Sequence, residues 1–218
     1  MTAVDTANRN AGRAYAGRSS AERRDARRAA LIAAGVRVFG RDGFRSATVK
    51  SICREAGLTE RYFYESFANS EALFAVVYKF LVAKIEAEMR AAIEAAPAEA
   101  EAMTRAALHV YFGHMADRLI ARIVLIEIFG ISADIDRTYR AVTLNFARLT
   151  EELTARLFDV DAVTAGADRR LLSMGLVGST IHIAMYWHLN GYRESLDTVV
   201  ESALKLYLAM AGNADADR

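Results

Sequence analysis

Apolar residues recur every three or four positions along most of this chain, the spacing that places side chains on one face of an α-helix. The clearest stripes lie in the first third: Leu31, Ala34, Val38 and Phe39, then Val49, Ile52, Cys53 and Ala56, then Leu73, Val77, Phe80 and Leu81. The 218 residues contain a single proline and many strong helix formers. The pattern therefore predicts an all-α protein of about nine helices.

Capping and turn residues predict where these helices begin and end. Ser19 precedes the first helix, with Glu22 at the spacing of a capping box. Thr48 is expected to cap the second helix through its hydroxyl, Gly57 to end that helix, and Thr59 to cap a third, short helix. Later boundaries are predicted at Pro97, Gly130, Ser132, the Asp/Gly/Ala-rich connection 159–168 and Asn190-Gly191.

The stretch from Gly43 to Leu73 reads GFRSATVKSICREAGLTERYFYESFANSEAL. A capped helix, a glycine turn and a short polar helix form a helix-turn-helix, which lays its second helix in the DNA major groove. Arg61 can donate paired hydrogen bonds to guanine, and the helix N-termini at Thr48 and Thr59 attract phosphate. The candidate DNA contacts are Thr48, Lys50, Thr59, Glu60, Arg61, Tyr62 and Tyr64.

This region resembles the DNA-binding domain of the TetR family (TetR/AcrR-like) of transcriptional regulators. The resemblance runs from about Ala29 to Val77 and is carried by Gly43, Ile52, Ala56, Gly57, Leu58, Thr59, Phe63, Tyr64, Phe67, Glu71 and Leu73. It implies that the Tyr64 hydroxyl bonds a phosphate. The chain departs from the family pattern at Arg61, Ser70 and Cys53, where a small residue, a lysine and an alanine are common. Arg61 can supply the charge that Ser70 does not.

Charge separates the two ends of the chain. Residues 1–65 carry 13 Lys and Arg against 7 Asp and Glu, whereas residues 66–218 carry 15 against 20. A basic head on an acidic body is typical of a phosphate-binding domain. We expect a flexible basic arm over 1–18, a helix-turn-helix domain over 19–70 and a helical effector-binding and dimerisation domain over 71–218. Residues 1–18 either contact DNA or form a disordered tail without a role in binding.

The resemblance implies a homodimer and an effector pocket in the second domain. The dimer would form through the last two helices, with candidates Gly175, Gly178, Ser179, Leu196, Val200, Leu204 and Tyr207. The pocket would lie among helices four to eight, with candidates Phe112, Met115, Leu125, Phe129, Phe146, Met174, His182, Met185 and Tyr186. Apolar walls with a few polar groups suit a lipophilic small molecule.

Other classes of function are disfavoured. The histidines are spaced by five or six residues, which does not place two rings on one helical face for a metal, and no cofactor or catalytic motif is present. The charge-free segment 171–192 is long enough for a membrane span, but its Ser, Thr, His, Asn and Gly favour a buried helix. One cysteine and the lack of an apolar leader fit a cytoplasmic protein.

The sequence therefore predicts a non-enzymatic, homodimeric transcriptional regulator that binds a palindromic operator in double-stranded DNA. We expect a repressor released by a lipophilic ligand. Two alternatives stay open. One is an activator or architectural DNA-binding protein without an effector, and the other is a helical lipid-binding or enzyme-like protein without specific DNA binding.

Overall fold

The computed structural model of the protein describes residues 19–157 and 168–212, and this part is helical throughout its regular structure, as predicted. The helices are α1 Ser20–Asp42, α2 Val49–Ala56, α3 Glu60–Tyr64, α4 Ser70–Ala95, α5 Ala100–Met115, α6 Arg118–Ala121, α7 Ala133–Leu157, α8 Arg169–Leu189 and α9 Leu196–Gly212. Helix α6 continues directly into a π-helical segment, Arg122–Glu127. The predicted arm 1–18 and residues 158–167 lie outside the described residues.

The predicted capping interactions set the ends of the first two helices. The backbone N–H of Glu22 donates to Ser19 Oγ over 3.1 Å, and the Glu22 carboxylate accepts the Ser19 N–H in return. Thr48 and Ser51 exchange the same pair of bonds at the start of α2. Gly57 ends α2 in the left-handed conformation, with φ +66°, which glycine adopts without steric cost. These local predictions are confirmed.

The first hydrophobic core joins the helix-turn-helix to the rest of the chain. Buried residues of α1 to α4 pack together, and Ile123, Ile128 and Ile135 from the region of the π segment and α7 complete the same cluster. Helix α1 also makes a close backbone contact with α6, since a Cβ added at Gly40 would lie 2.8 Å from the Leu119 carbonyl oxygen. The head and body therefore share one packed core rather than a flexible linker.

The predicted domain boundary near residue 70 coincides with the N-terminus of α4. Leu73, Phe74 and Val77 from the first turns of α4 nevertheless belong to the core of the head. Phe80, predicted to face inward, is 52% exposed, so that prediction is wrong. The inward face of α4 continues instead through Tyr78 and Leu81.

The second core holds the body together. It is formed by α5, α8, α9, the second half of α4 and the region of α6. Its largest members include Phe112 and Trp187, whose rings meet edge to face with centroids 6.4 Å apart. No described helix is both long and apolar enough to cross a membrane. The charge-free part of α8 contributes Ser173, Leu176 and Thr180 to the buried interior instead.

Candidate nucleic-acid interface and effector cavity

Helix α3 presents a polar face to solvent, which is the face predicted to enter the major groove. Phe63 is fully buried and anchors α3 against the head, with its ring 5.8 Å from that of Phe67. Glu60, Arg61 and Tyr64 are exposed, and Tyr64 shows 58% of its surface. Phe63 thus anchors the short helix while Glu60, Arg61 and Tyr64 remain accessible.

Arg61 is accessible but not unpaired. Its Nε lies 3.3 Å from Glu65 Oε1, and 84% of the Arg61 side chain is exposed. An exposed pair four residues apart contributes about 0.3–0.5 kcal/mol, whereas a bidentate arginine–guanine contact discriminates by about 1–3 kcal/mol. The pair with Glu65 therefore holds this guanidinium only weakly.

Tyr62 is positioned differently from its neighbours on α3. The Arg27 guanidinium lies 4.3 Å from the centre of the Tyr62 ring, and Arg27 also approaches Glu65 at 3.7 Å. Half-buried beneath this cation, Tyr62 holds α3 against α1. The DNA contact predicted for Tyr62 stays a prediction.

The two predicted threonine sites differ in their hydroxyl groups. Thr48 Oγ1 is occupied by the capping bond to Ser51, so phosphate at this helix end would be bound through backbone N–H groups. Thr59 makes no side-chain capping bond, which corrects the expectation that its hydroxyl caps α3. Lys50, the second residue of α2, is exposed. Cys53 is buried, and burial raises the pKa of its thiol, as expected for a small core residue.

An apolar cavity of about 70 Å³ lies inside the body, between α4, α5, the π segment, α7, α8 and α9. The described residues that line it are Tyr78, Val82, Met89, Leu108, Tyr111, Val124, Leu125, Phe129, Tyr139, Val142, Thr143, Phe146, Thr150, Val177, Thr180, Ile181 and Tyr207. None of these side chains carries a charge. The cavity is smaller than the roughly 300–1,000 Å³ of ligand pockets, so a larger guest must displace wall residues.

Only some of the predicted pocket residues line the cavity. Leu125, Phe129 and Phe146 line the cavity. Phe112 and Met115 are fully buried in the second core, and His182 and Tyr186 are exposed on α8. Met174 lines a separate depression with Leu144 and Arg148, and half-buried Met185 is not among the lining residues. The pocket assignment is revised accordingly.

Sequence reasoning missed most of the α7 wall. Tyr139, Val142, Thr143, Phe146 and Thr150 recur at positions i, i+3, i+4, i+7 and i+11 and all line the cavity. This helical spacing was a usable signal. The sequence does not distinguish a stripe that lines a cavity from a stripe that packs solidly.

Hydroxyl groups supply the polar part of the cavity wall. Tyr207 Oη lies 3.2 Å from Thr180 Oγ1 and also shares a hydrogen bond with Thr150. Burial raises the pKa of Tyr207. The Tyr111 hydroxyl is buried and has no hydrogen-bond partner, and burial raises the pKa of this phenol far above its usual range. These hydroxyls are therefore neutral donors at physiological pH.

Two charged residues on the π segment form hydrogen bonds to the backbone at the end of α1 and in the turn that follows it. Arg122 Nη1 donates to the Arg41 carbonyl over 2.6 Å, and Glu127 Oε2 accepts the Phe44 N–H over 2.8 Å. Arg122 Nε and Glu127 Oε1 are bonded to each other at 2.9 Å. We call Arg122, Glu127 and their two backbone partners the clamp. Sequence reasoning missed it because residues five apart do not face each other on an α-helix.

The π geometry explains the ion pair within the clamp. On an α-helix of 3.6 residues per turn, residues five apart point in directions well separated around the axis. A π-helix bonds each N–H five residues back, which brings such residues to one face on successive turns. Val124 and Leu125, between Arg122 and Glu127, line the cavity. The π segment therefore contacts the cavity and the head at the same time.

The predicted dimer residues are divided between surface and interior. Gly175 is exposed and Gly178 half-buried on α8, and a Cβ added at either would meet nothing within 4 Å. Leu204 and Val200 of α9 are buried in the chain's own second core, so neither is presented on the surface, and half-buried Tyr207 lines the cavity. Half-buried Leu196 packs against the same core, and half-buried Ser179 donates to the Leu176 carbonyl.

The histidines are bound to other protein groups. His114 Nε2 lies 2.7 Å from a Glu88 carboxylate oxygen, and His188 Nδ1 lies 2.6 Å from the Tyr192 hydroxyl. Among residues 19–157 and 168–212, no three His, Cys, Asp or Glu side chains come together as metal ligands.

Comparison with known proteins agrees with this arrangement. Residues 31–77 match the family model described as bacterial regulatory proteins, tetR family. The HTH-type transcriptional activator FasR of Mycolicibacterium smegmatis is 24% identical over 185 residues, covering 84% of this chain and 81% of that protein. The matched residues include α2, α3 and the first turns of α4.

Solved structures share the fold over most of their length. The fatty acid degradation regulator FadR from Bacillus halodurans has a TM-score of 0.72 at 19% identity, covering 84% of this chain and 94% of that one. FadR from Bacillus subtilis, solved in complex with stearoyl-CoA, has a TM-score of 0.74 at 17% identity, covering 85% and 98%. With its helix-turn-helix and helical body arranged in this way, the chain belongs to the TetR family of transcriptional regulators.

Proposed function

We propose that the protein is a homodimeric regulator that leaves its operator when a lipophilic effector enlarges the cavity of the body. The observation that carries this proposal is the π segment, which lines the cavity with Val124 and Leu125 and holds the head with Arg122 and Glu127. One element thus contacts both the effector cavity and the DNA-binding domain.

DNA binding is assigned to the outward face of α3. Arg61 would read a base or bind phosphate, Tyr64 would bind phosphate, and Lys50 and the N-termini at Thr48 and Thr59 would add phosphate contacts. The excess of positive charge in residues 1–65 supports this assignment, because phosphate neutralisation supplies most of the nonspecific affinity for DNA.

Dimerisation is assigned to the exposed face of α8. Leu171, Gly175, Gly178, His182, Tyr186 and Leu189 recur along one side of the helix. Leu171 and Leu189 are 72% and 66% exposed, which places large apolar groups in water at both ends of the stripe. The glycines, unoccupied by any neighbour in this chain, allow a second helix to approach closely. Leu206 of α9 is a further exposed apolar residue.

Two heads held by such a dimer would contact half-sites about 34 Å apart, one helical turn of DNA. A two-fold symmetric protein matches a palindromic operator. Any change in the orientation of the heads then changes operator affinity, because both must fit the groove at once.

The effector is assigned to the lipid-like class. The cavity has an apolar wall without a charged side chain among its described residues. The Bacillus subtilis structure of the same fold was solved with stearoyl-CoA. We propose that an acyl chain enters this cavity and pushes Val124 and Leu125 outward. Displacement of the π segment would then shift the clamp on the turn after α1, alongside any movement transmitted by α4.

The test is a pair of titrations. An operator is selected from random duplex DNA with the full-length protein, and stearoyl-CoA is titrated with and without that operator. Linkage requires each to weaken the other by the same factor, typically about 5–150-fold. Coenzyme A without the acyl chain is the control and should have little effect. Equal stearoyl-CoA affinity in both titrations would favour the effector-independent alternative.

Activation of transcription is the alternative to repression. The Mycolicibacterium smegmatis relative is named a transcriptional activator. We propose repression, because an operator-bound dimer released by ligand requires no contact with the transcription machinery. Transcription in vitro from the selected operator decides between the two. The repressor lowers transcript yield and stearoyl-CoA restores it, whereas an activator raises the yield.

A further inference from the structure

The buried hydroxyl of Tyr111 has no hydrogen-bond partner although other hydroxyls lie close by. In the same cavity wall, the Tyr207 hydroxyl shares hydrogen bonds with both Thr180 and Thr150. A buried donor without a partner destabilises the folded state, because the hydrogen bonds it made to water when unfolded are not replaced. The folded chain therefore carries an unfavourable group at a place where a phenylalanine ring would fill similar space.

The position of this hydroxyl connects it to the cavity. Tyr111 comes from α5 and lines the cavity, and the phenols of Tyr207, Tyr78 and Tyr139, which line it too, are its titratable neighbours. The Tyr111 ring is fixed edge to face against Phe112, with centroids 5.3 Å apart. A fixed ring holds the hydroxyl in one place, where an atom entering the cavity can meet it.

We propose that Tyr111 donates a hydrogen bond to an uncharged oxygen of the effector, and so selects lipophilic molecules that carry a carbonyl or ester-like group. This inference rests on the effector cavity of the proposed function and names the chemistry that the cavity recognises. A ketone, ester or thioester oxygen accepts from Tyr111 without bringing a charge. A free carboxylate does not fit, because no cation among the described lining residues offsets its desolvation.

The test compares two phenol-to-phenyl variants with three probes of equal chain length: octane, octan-2-one and octanoate. In Tyr111→Phe, the dissociation constant of octan-2-one should rise about tenfold while that of octane stays unchanged, since only the hydrogen bond is lost. Octanoate should bind the parent at least about tenfold more weakly than octan-2-one at neutral pH.

Stability without a probe gives an independent readout. Tyr111→Phe should leave the thermal midpoint unchanged or raise it, because an unpartnered buried donor is removed. Tyr207→Phe is the matched control and should lower the midpoint, since it removes the hydrogen bonds that the Tyr207 hydroxyl shares with Thr180 and Thr150. A lower midpoint for Tyr111→Phe would show that its hydroxyl has a structural partner and would overturn the inference.

The binding outcomes separate this inference from the proposed function. One outcome is that octane and octan-2-one both bind the parent with dissociation constants that Tyr111→Phe does not change. That result would support the effector cavity and refute the role of Tyr111. Equal weakening of both probes would assign the effect to the ring rather than the hydroxyl, and it refutes the role as well. If no probe binds the parent, the effector cavity of the proposed function fails and the inference fails with it.

Discussion

The carboxylate of Glu127 accepts the backbone N–H of Phe44 at 2.8 Å, across 83 positions of sequence. Glu127 also bonds Arg122, which donates to the carbonyl of Arg41. The turn between α1 and α2 is therefore held at two backbone groups by one π-helical segment. Because that segment also lines the cavity, the clamp connects the wall of the cavity to the DNA-binding head.

Removing the Glu127 side chain should weaken both the fold and the coupling. Glu127→Ala leaves the Phe44 N–H without its acceptor and removes the ion pair with Arg122, so we expect the unfolding free energy to fall by about 1–3 kcal/mol. Glu101→Ala is the control, because Glu101 forms an exposed pair with Arg105 and should change stability by less than about 0.5 kcal/mol. Urea denaturation measures both. If both variants lower the unfolding free energy equally, the clamp stabilises the fold no more than an exposed ion pair does.

Two glycines with positive φ allow the stability cost of a strained backbone to be distinguished from the cost of steric crowding. Gly43 has φ +83° and Gly57 has φ +66°. A Cβ at Gly43 would lie 2.6 Å from Arg122 Nη2 and 2.7 Å from Glu127 Oε1, whereas one at Gly57 meets nothing within 4 Å. Gly57→Ala should cost about 1–2 kcal/mol from the left-handed backbone alone, and Gly43→Ala should cost more.

The same glycine pair tests the clamp through DNA binding. Gly43→Ala displaces Arg122 and Glu127 and should alter the linkage between stearoyl-CoA and operator, measured as above. Gly57→Ala lies away from the clamp and should leave that linkage factor unchanged. A larger stability loss in Gly57→Ala than in Gly43→Ala would contradict the crowding argument.

Arg61 and Tyr64 should contribute to operator binding in different ways. Arg61→Ala should reduce affinity by about 1–3 kcal/mol and relax preference at one base pair. Tyr64→Phe should weaken all sequences evenly, because a phosphate contact carries no sequence information. Fluorescence anisotropy on the operator and single-base variants measures both. Unchanged affinity in both variants would move the DNA contact away from α3.

A bulky residue on the α8 face should prevent dimerisation without harming the monomer. Gly178→Leu meets open space within this chain, so steric conflict arises only with a second subunit. We expect a dimeric parent and a monomeric variant in sedimentation, since overpacking an interface costs about 1–3 kcal/mol. Gly113→Leu is the matched control on α5, where the glycine is equally exposed to empty space. A dimeric Gly178→Leu protein would place the interface elsewhere.

Local signals in the sequence were sufficient for the helix-turn-helix. Ser19 with Glu22, Thr48 with its hydroxyl and Gly57 with its left-handed backbone act within three or four residues, so their positions in the sequence predicted the observed caps. Thr59 shows the limit of such signals. It precedes α3 as predicted, yet its hydroxyl makes no cap, and the helix is held by the buried ring of Phe63.

Long-range packing decided the sites in the body. The sequence correctly indicated apolar helices, but Phe112 and Leu125 are equally apolar, and only their positions in space made one a core residue and the other a cavity wall. For the same reason Leu204, predicted at the dimer surface, lies inside the chain. Periodicity reports which face of a helix is apolar and does not report which neighbour covers it.

By itself, the sequence determined the helical class, the helix boundaries of the head and the family, because these depend on hydrogen bonds and spacings between near neighbours. Tertiary structure alone decided the clamp and the cavity. Arg122 and Glu127 pair only through π geometry, and Glu127 meets Phe44 only because α1 packs against α6 through Gly40. The Tyr111 hydroxyl likewise lacks a partner only because five helices and the π segment enclose it.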